Sequence, residues 1–263
     1  MNPDMNQVEA FAGQVVTDVA AAMSGVMTSL GNKLGLYKAL AGAGALTSDD
    51  LATKTGLHER YVREWLNNQV AGGYIIYQPQ DGTYELPDAH ALVLAVDGSP
   101  VFLVPALEVC ASLWFDRDKI ENAFRSGDGI AWKDHHEGLF CGCEALFKPG
   151  YEASLVADWI GALDGVQDRL SAGGKIADVG CGHGASAIIL AKAFPNSTVY
   201  GFDSHVESID IARQRASEAG LSGNLRFETA LAKGYDERDF DLICFMDCLH
   251  DMGDPVGAAR HAC

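Results

Sequence analysis

Two hydrophobic periods divide the chain. Over residues 8–26 the apolar side chains Val8, Phe11, Val15, Val19, Ala22 and Val26 recur three or four apart, the spacing of one helix face. A second helical run, 27–41, ends at Gly42 and Gly44. Thr47 or Ser48 then caps a short helix with Asp49 and Asp50 in its first turn, and Gly56 ends it. Residues 58–71 turn Val62, Trp65, Leu66 and Val70 to one side and close at Gly72-Gly73. Tyr74-Ile75-Ile76-Tyr77 and Thr83-Tyr84-Glu85-Leu86 flank the turn Gln78-Pro79-Gln80-Asp81-Gly82, which predicts a hairpin. From residue 173 the pattern changes. Apolar runs at 175–179, 197–202, 224–229 and 240–245 read as strands, and helical patterns at 184–194 and 205–219 separate the first three.

Helix, turn, helix and hairpin together predict a winged-helix domain over 1–95. Strands alternating with helices predict a parallel α/β sheet over 173–263. Residues 96–172 read as a helical linker with an irregular loop at 126–138, a segment suited to be lid and wall of a substrate pocket. The fold class expected is therefore α/β, a Rossmann-like sheet preceded by an α-helical winged-helix domain.

The chemistry concentrates where the first strand of that sheet ends. Lys175-Ile176-Ala177-Asp178-Val179 runs into Gly180-Cys181-Gly182-His183-Gly184, and a helical pattern follows. Glycines there let the backbone turn sharply and let a ligand approach it closely, and the helix start favours a polar or anionic ligand group. The second strand ends at Asp203, followed by Ser204. A carboxylate at that point of such a unit accepts hydrogen bonds from both ribose hydroxyls of an adenosine. Gly180-x-Gly182-x-x-Ala185 also satisfies the dinucleotide fingerprint, so the turn alone fits more than one nucleoside cofactor. Asp178, two residues before the first glycine, is placed to reach a methionyl amino group.

The run Asp178-x-Gly180-x-Gly182-x-Gly184 resembles motif I of class I S-adenosylmethionine-dependent methyltransferases, and Asp203 with the helix after it resembles their acidic strand end. The fourth-strand exit, Phe245-Met246-Asp247-Cys248-Leu249-His250-Asp251-Met252, is similar to the histidine-bearing run of winged-helix small-molecule O-methyltransferases. The resemblance spans residues 5–263. It implies S-adenosylmethionine as cofactor, held by Asp178, Gly180, Cys181, Gly182, Gly184, Asp203, Ser204, Ala230, Leu231 and Phe245. It also implies a small-molecule acceptor, methylated on oxygen with His250 as general base. A structural role for His250, bonded to a backbone carbonyl, is the alternative. The chain departs from that family in three respects. Met252 stands where tryptophan is usual, Ala230-Leu231-Ala232 lacks the acid that often holds adenine, and four of the expected seven strands are found. The sheet thus reads as C-terminally incomplete.

Charge and cysteine content narrow the partners. Net charge is −17, and residues 1–95 hold five Lys/Arg against ten Asp/Glu, a poor basis for holding a phosphate backbone. The winged-helix domain is therefore expected to dimerise through its first helix rather than bind nucleic acid. Seven irregularly spaced cysteines suggest reduced thiols in the cytoplasm. His135, His136, Glu137, Cys141 and Cys143 fit no common zinc spacing, so no metal is expected. No signal peptide is read at the start, and the apolar region 89–115 is too interrupted to cross a membrane. A dinucleotide-dependent dehydrogenase and a cofactor-sensing winged-helix regulator are the rival readings.

Overall fold

The computed structural model describes residues 3–263, which form two compact units that divide between Trp114 and Phe115. The first unit opens with one long helix, α1 (Met5–Lys33), followed by α2 (Leu36–Leu40), α3 (Ser48–Thr55) and α4 (Glu59–Ala71). Thr47 and Asp50 form a reciprocal capping box at α3. Strands β1 (Ile76–Gln78) and β2 (Thr83–Glu85) pair antiparallel as the wing, and Leu46 bridges to Tyr84 beside it. Helices α5 (Asp88–Leu94) and α6 (Val104–Phe115) follow.

Leu36, Tyr37, Leu51, Val62, Trp65 and Leu66 fill this unit's core. The polar tips of the buried aromatics Tyr37 and Trp65 are satisfied. The Tyr37 hydroxyl donates to Gln69 at 2.5 Å, and the Trp65 indole N–H donates to the Met27 carbonyl at 2.8 Å.

Where the sequence pattern suggests two helices over 8–41, α1 continues unbroken to Lys33. Gly25 is tolerated within the helix, with no proline near it, and the chain turns at Leu34-Gly35. Val16 and Met23, each 68% exposed, lie outside the predicted stripe and widen it. As a result α1 contains an 18-residue window of mean hydropathy 1.3 with none of it buried, and by length and composition it is long and apolar enough to cross a membrane.

The second unit begins with α7 (Arg117–Ser126), a 3-10 turn at Trp132–Asp134 and α8 (Glu137–Ser154). Soon after Pro149, α8 widens into a π-helical turn, Leu155–Ile160, before α9 (Val166–Gly173). Residues 96–172 thus supply helices to both units. Four strands then form one parallel sheet in the order β5-β4-β3-β6: β3 (Lys175–Val179), β4 (Thr198–Asp203), β5 (Leu225–Thr229) and β6 (Leu242–Cys244). Helices α10 (Ala185–Ala193), α11 (Val206–Glu218) and α12 (Pro255–Ala262) complete the unit.

Strand alternation sorts two cores onto opposite sides of the sheet. Ile176, Val199, Leu225 and Phe227 pack with Tyr151, Leu155, Leu190 and Ile209. Ala177, Val179, Tyr200 and Phe202 pack with Tyr235 and Phe240 in an aromatic stack, where the Phe202 and Tyr235 rings lie 4.5 Å apart. The strand order reverses next to β3, so the carboxyl ends of β3 and β4 open on the position where α/β sheets bind ligands.

Candidate functional site

The site is built around the turn from β3 into α10. Gly180 and Cys181 both donate their backbone N–H to the Phe202 carbonyl, at 2.7 and 3.1 Å, which locks the turn against β4. Gly180 and Gly184 have φ of +79° and +81°, a region glycine enters without steric cost. A Cβ on Gly180 would lie 2.5 Å from the Cys248 sulfur, and one on Gly184 would lie 2.6 Å from the Phe227 ring. At Gly182 a Cβ would meet nothing within 4 Å, so that backbone borders open space.

Asp178 lies at the end of β3, fully buried. Its Oδ2 accepts from the Ser186 hydroxyl at 2.5 Å, while Oδ1 has no partner. An unpaired buried carboxylate oxygen is costly, and a ligand donor would relieve it. Burial pushes this carboxyl up to about 6; the Ser186 hydrogen bond opposes the shift and the charge of Asp203 adds to it. At the end of β4, Asp203 accepts from Gly182 N–H at 2.9 Å and from His205 N–H at 2.8 Å, one on each oxygen. Each oxygen retains lone-pair capacity for a further donor.

Past β4, Ser204 is exposed and His205 stacks on Phe140, with ring centres 5.2 Å apart; Trp132 meets Phe140 edge-on. Past β5, Ala230 N–H bonds the Asp203 carbonyl at 2.9 Å, and Leu231 stands 61% exposed. Past β6, Phe245 packs on the aromatic side of the sheet, and Asp247 adopts φ +51°, uncommon outside glycine. The Cys248 thiol donates to the Val179 carbonyl at 3.0 Å. Burial pushes that thiol up to about 12, and the charges of Asp178, Asp203, Asp251 and Asp247 push it the same way. The strand ends therefore carry a concentration of negative charge that suits a cationic ligand.

His250 lies on a 3-10 turn, Leu249–Asp251, with its side chain 68% exposed. Its Nε2 lies 3.4 Å from an Asp251 oxygen. Asp254, rather than Asp251, caps α12, accepting from Gly257 N–H at 2.8 Å with Pro255 at the first turn.

The sequence pattern does not single out Ser186, Cys248 or Glu144 for this site. Ser186 is the sole hydroxyl between Asp178 and Ser197, a signal available in advance. Cys248 and Glu144 reach the turn only through tertiary packing. His135 and His136 are engaged with Asp116 through Nδ1 and backbone N–H, at 3.0 and 2.8 Å.

Two family models match. Residues 21–96 match the Rv2258c-like winged HTH domain and residues 170–263 match a methyltransferase domain. The ubiquinone biosynthesis O-methyltransferase of Actinobacillus pleuropneumoniae is 34% identical over 102 residues, covering 36% of this chain and 42% of that protein. The chain thus spans under half the length of that curated relative. Among solved structures, the mitomycin 7-O-methyltransferase MmcR superposes with a TM-score of 0.68 at 20% identity, over 97% of this chain and 77% of that one. NcsB1, an O-methyltransferase from neocarzinostatin biosynthesis in complex with S-adenosyl-L-homocysteine and 1,4-dihydroxy-2-naphthoic acid, superposes with a TM-score of 0.65 at 19% identity, over 95% and 76%. The chain joins a winged-helix domain to a methyltransferase domain of the class I fold.

Proposed function

We propose that this chain binds S-adenosylmethionine at the β3–α10 turn and transfers its methyl group to an oxygen of a small, partly apolar acceptor. The observation that carries the reading is Asp178: a buried carboxylate with one oxygen unpaired, beside a bare glycine backbone and among further carboxylates. That arrangement fits an ammonium and a sulfonium and disfavours the pyrophosphate of a dinucleotide. Asp178 takes the methionyl amino end, Gly180, Cys181, Gly182 and Gly184 border the methionyl chain, and Asp203 with Ser204 takes the ribose. Backbone groups of Ala230 and Leu231 take the adenine edge, and Phe245 lies beneath the cofactor. When bound, the cofactor supplies an electrophilic methyl on a positively charged sulfur.

The protein's own work is to align the acceptor and remove its proton. His250, with Asp251 3.4 Å from its Nε2, is the group that accepts the hydroxyl proton. His250→Ala is expected to lower turnover about 100-fold or more while leaving cofactor affinity within about threefold. Equal loss of both in steady-state kinetics would assign His250 a structural role instead.

The winged-helix domain serves as a homodimer contact rather than a DNA reader. Arg60 and Arg63, the basic side chains of α4, are paired with Glu64 at 2.9 Å and Glu59 at 3.5 Å. The reading places the enzyme in the cytoplasm. Isothermal titration tests the core of it. Binding of S-adenosylhomocysteine with no heat from NADH is expected, and the reverse outcome would overturn the assignment in favour of a dehydrogenase.

A further inference from the structure

Three elements of the second unit converge on one carboxylate that the proposed chemistry does not use. Glu144, on α8, places Oε2 2.7 Å from Nδ1 of His183, in the glycine turn. Its other oxygen pairs with Arg215 of α11. The side chains of His183 and Glu144 are 9% and 18% exposed, so solvent screens this contact little. Burial alone would raise the Glu144 carboxyl, yet the hydrogen bonds from His183 and Arg215 outweigh it and leave the group below its ordinary value. Glu144 is therefore held as an anion and offers a charge-assisted acceptor to each partner.

His183 is the residue between Gly182 and Gly184, whose φ angles are +51° and +81°. Two flanking glycines leave this stretch little intrinsic stiffness. Its conformation is set by what grips it. Gly182 N–H is held by Asp203, and the imidazole of His183 is held by Glu144. With the side chain of His183 drawn to α8, the backbone of Gly182 is left bordering open space.

We infer that Glu144 is a positioning residue for the cofactor turn: acting through His183, it fixes the Gly182–Gly184 backbone in the conformation that receives the nucleoside ligand, and Arg215 fixes Glu144. The inference rests on the methyltransferase reading only for the identity of that ligand.

A double-mutant cycle on S-adenosylhomocysteine affinity tests it. Glu144→Ala and His183→Ala are each expected to weaken binding about tenfold, and the double variant is expected to be no worse than either single one. His183→Asn, whose amide N–H falls near the position of Nδ1, is expected to restore affinity to within about threefold of the unaltered chain. Turnover at saturating cofactor is expected to stay unchanged, which separates the clasp from the reacting groups.

Hydrogen exchange of the ligand-free chain gives a second readout. Amides of residues 180–185 are expected to exchange faster in Glu144→Ala, while those of β4 keep their protection. If Glu144→Ala does not fold, the contrast between His183→Ala and His183→Asn carries the test, since neither change removes the Glu144–Arg215 pair. Failure of the unaltered chain to bind S-adenosylhomocysteine would overturn the methyltransferase reading, and the exchange experiment would still decide the clasp. Additive losses, absence of rescue by His183→Asn, or unchanged exchange at 180–185 in a folded variant would overturn the clasp itself.

Discussion

Asp178 shows how a single buried group can connect ligand affinity with acidity. In the ligand-free protein its carboxyl is pushed up to about 6 against an ordinary value near 3.8. The folded state therefore holds a proton that the unfolded chain has already released, and stability falls as pH rises from about 4 to about 6. Across that interval the loss amounts to about 3 kcal/mol at most. A cation on the free oxygen reverses the preference, so cofactor affinity is expected to climb through the same window and level off above about pH 7. Urea midpoints and titration calorimetry from about pH 4.5 to about pH 7.5 would record both slopes, and Asp178→Asn should flatten both. A pH-independent affinity in the unaltered chain would mean that the ligand does not meet this carboxylate.

Between α7 and α8 the geometry is set by Asp116, whose carboxyl is 1% exposed. It receives Lys119 Nζ at 2.7 Å, His135 Nδ1 at 3.0 Å and His136 N–H at 2.8 Å, so the end of the intervening loop is tied back to the start of α7 through one anion. Burial raises this carboxyl, but hydrogen bonds from Lys119, His136 and His135 prevail and hold it at about 2. The sign is opposite to that of Asp178. This contribution is complete above about pH 4 and is lost as pH falls toward about 2, amounting to about 2 kcal/mol. Asp116→Asn is expected to lower unfolding stability by about 1–3 kcal/mol near neutrality and to speed proteolysis within residues 127–134, with the difference from the unaltered chain vanishing near about pH 2. Equal proteolysis rates at neutral pH would show that the loop is held by other contacts.

At the scale of the whole molecule, α1 carries a long exposed apolar stripe. The helix is about 43 Å long at about 1.5 Å per residue, and Phe11, Val15, Val16, Val19, Met23 and Val26 are all exposed along it. A dimer formed through this stripe is expected to dissociate on Val15→Asp with Val19→Asp, read as a halved mass in sedimentation equilibrium with the helical circular dichroism retained. An unaltered mass would place the dimer contact elsewhere.

Much of this architecture is legible in the sequence. Periodicity alone predicts the four strands within a few residues, because parallel strands covered on both sides are short and mostly apolar, as Ile176, Ala177 and Val179 make β3. The capping signals at Thr47 and Asp254 are equally local. What escapes is non-local or composite. The unbroken course of α1 runs straight through Gly25, and α8 hides behind Pro149 and three glycines. The contacts of Glu144 with His183 and of Cys248 with Gly180 join residues 39 and 68 positions apart, which no spacing rule encodes.

The π turn at Leu155–Ile160 holds more residues per turn than the α-helix that leads into it. Excising one residue there, such as Asp158, would let ordinary winding resume and rotate the preceding helix by about 100° against the sheet. Tyr151 would swing out of its packing, and Glu144 would leave the imidazole it grips. A homologue one residue shorter at this place would have to grip its nucleoside loop by some other means.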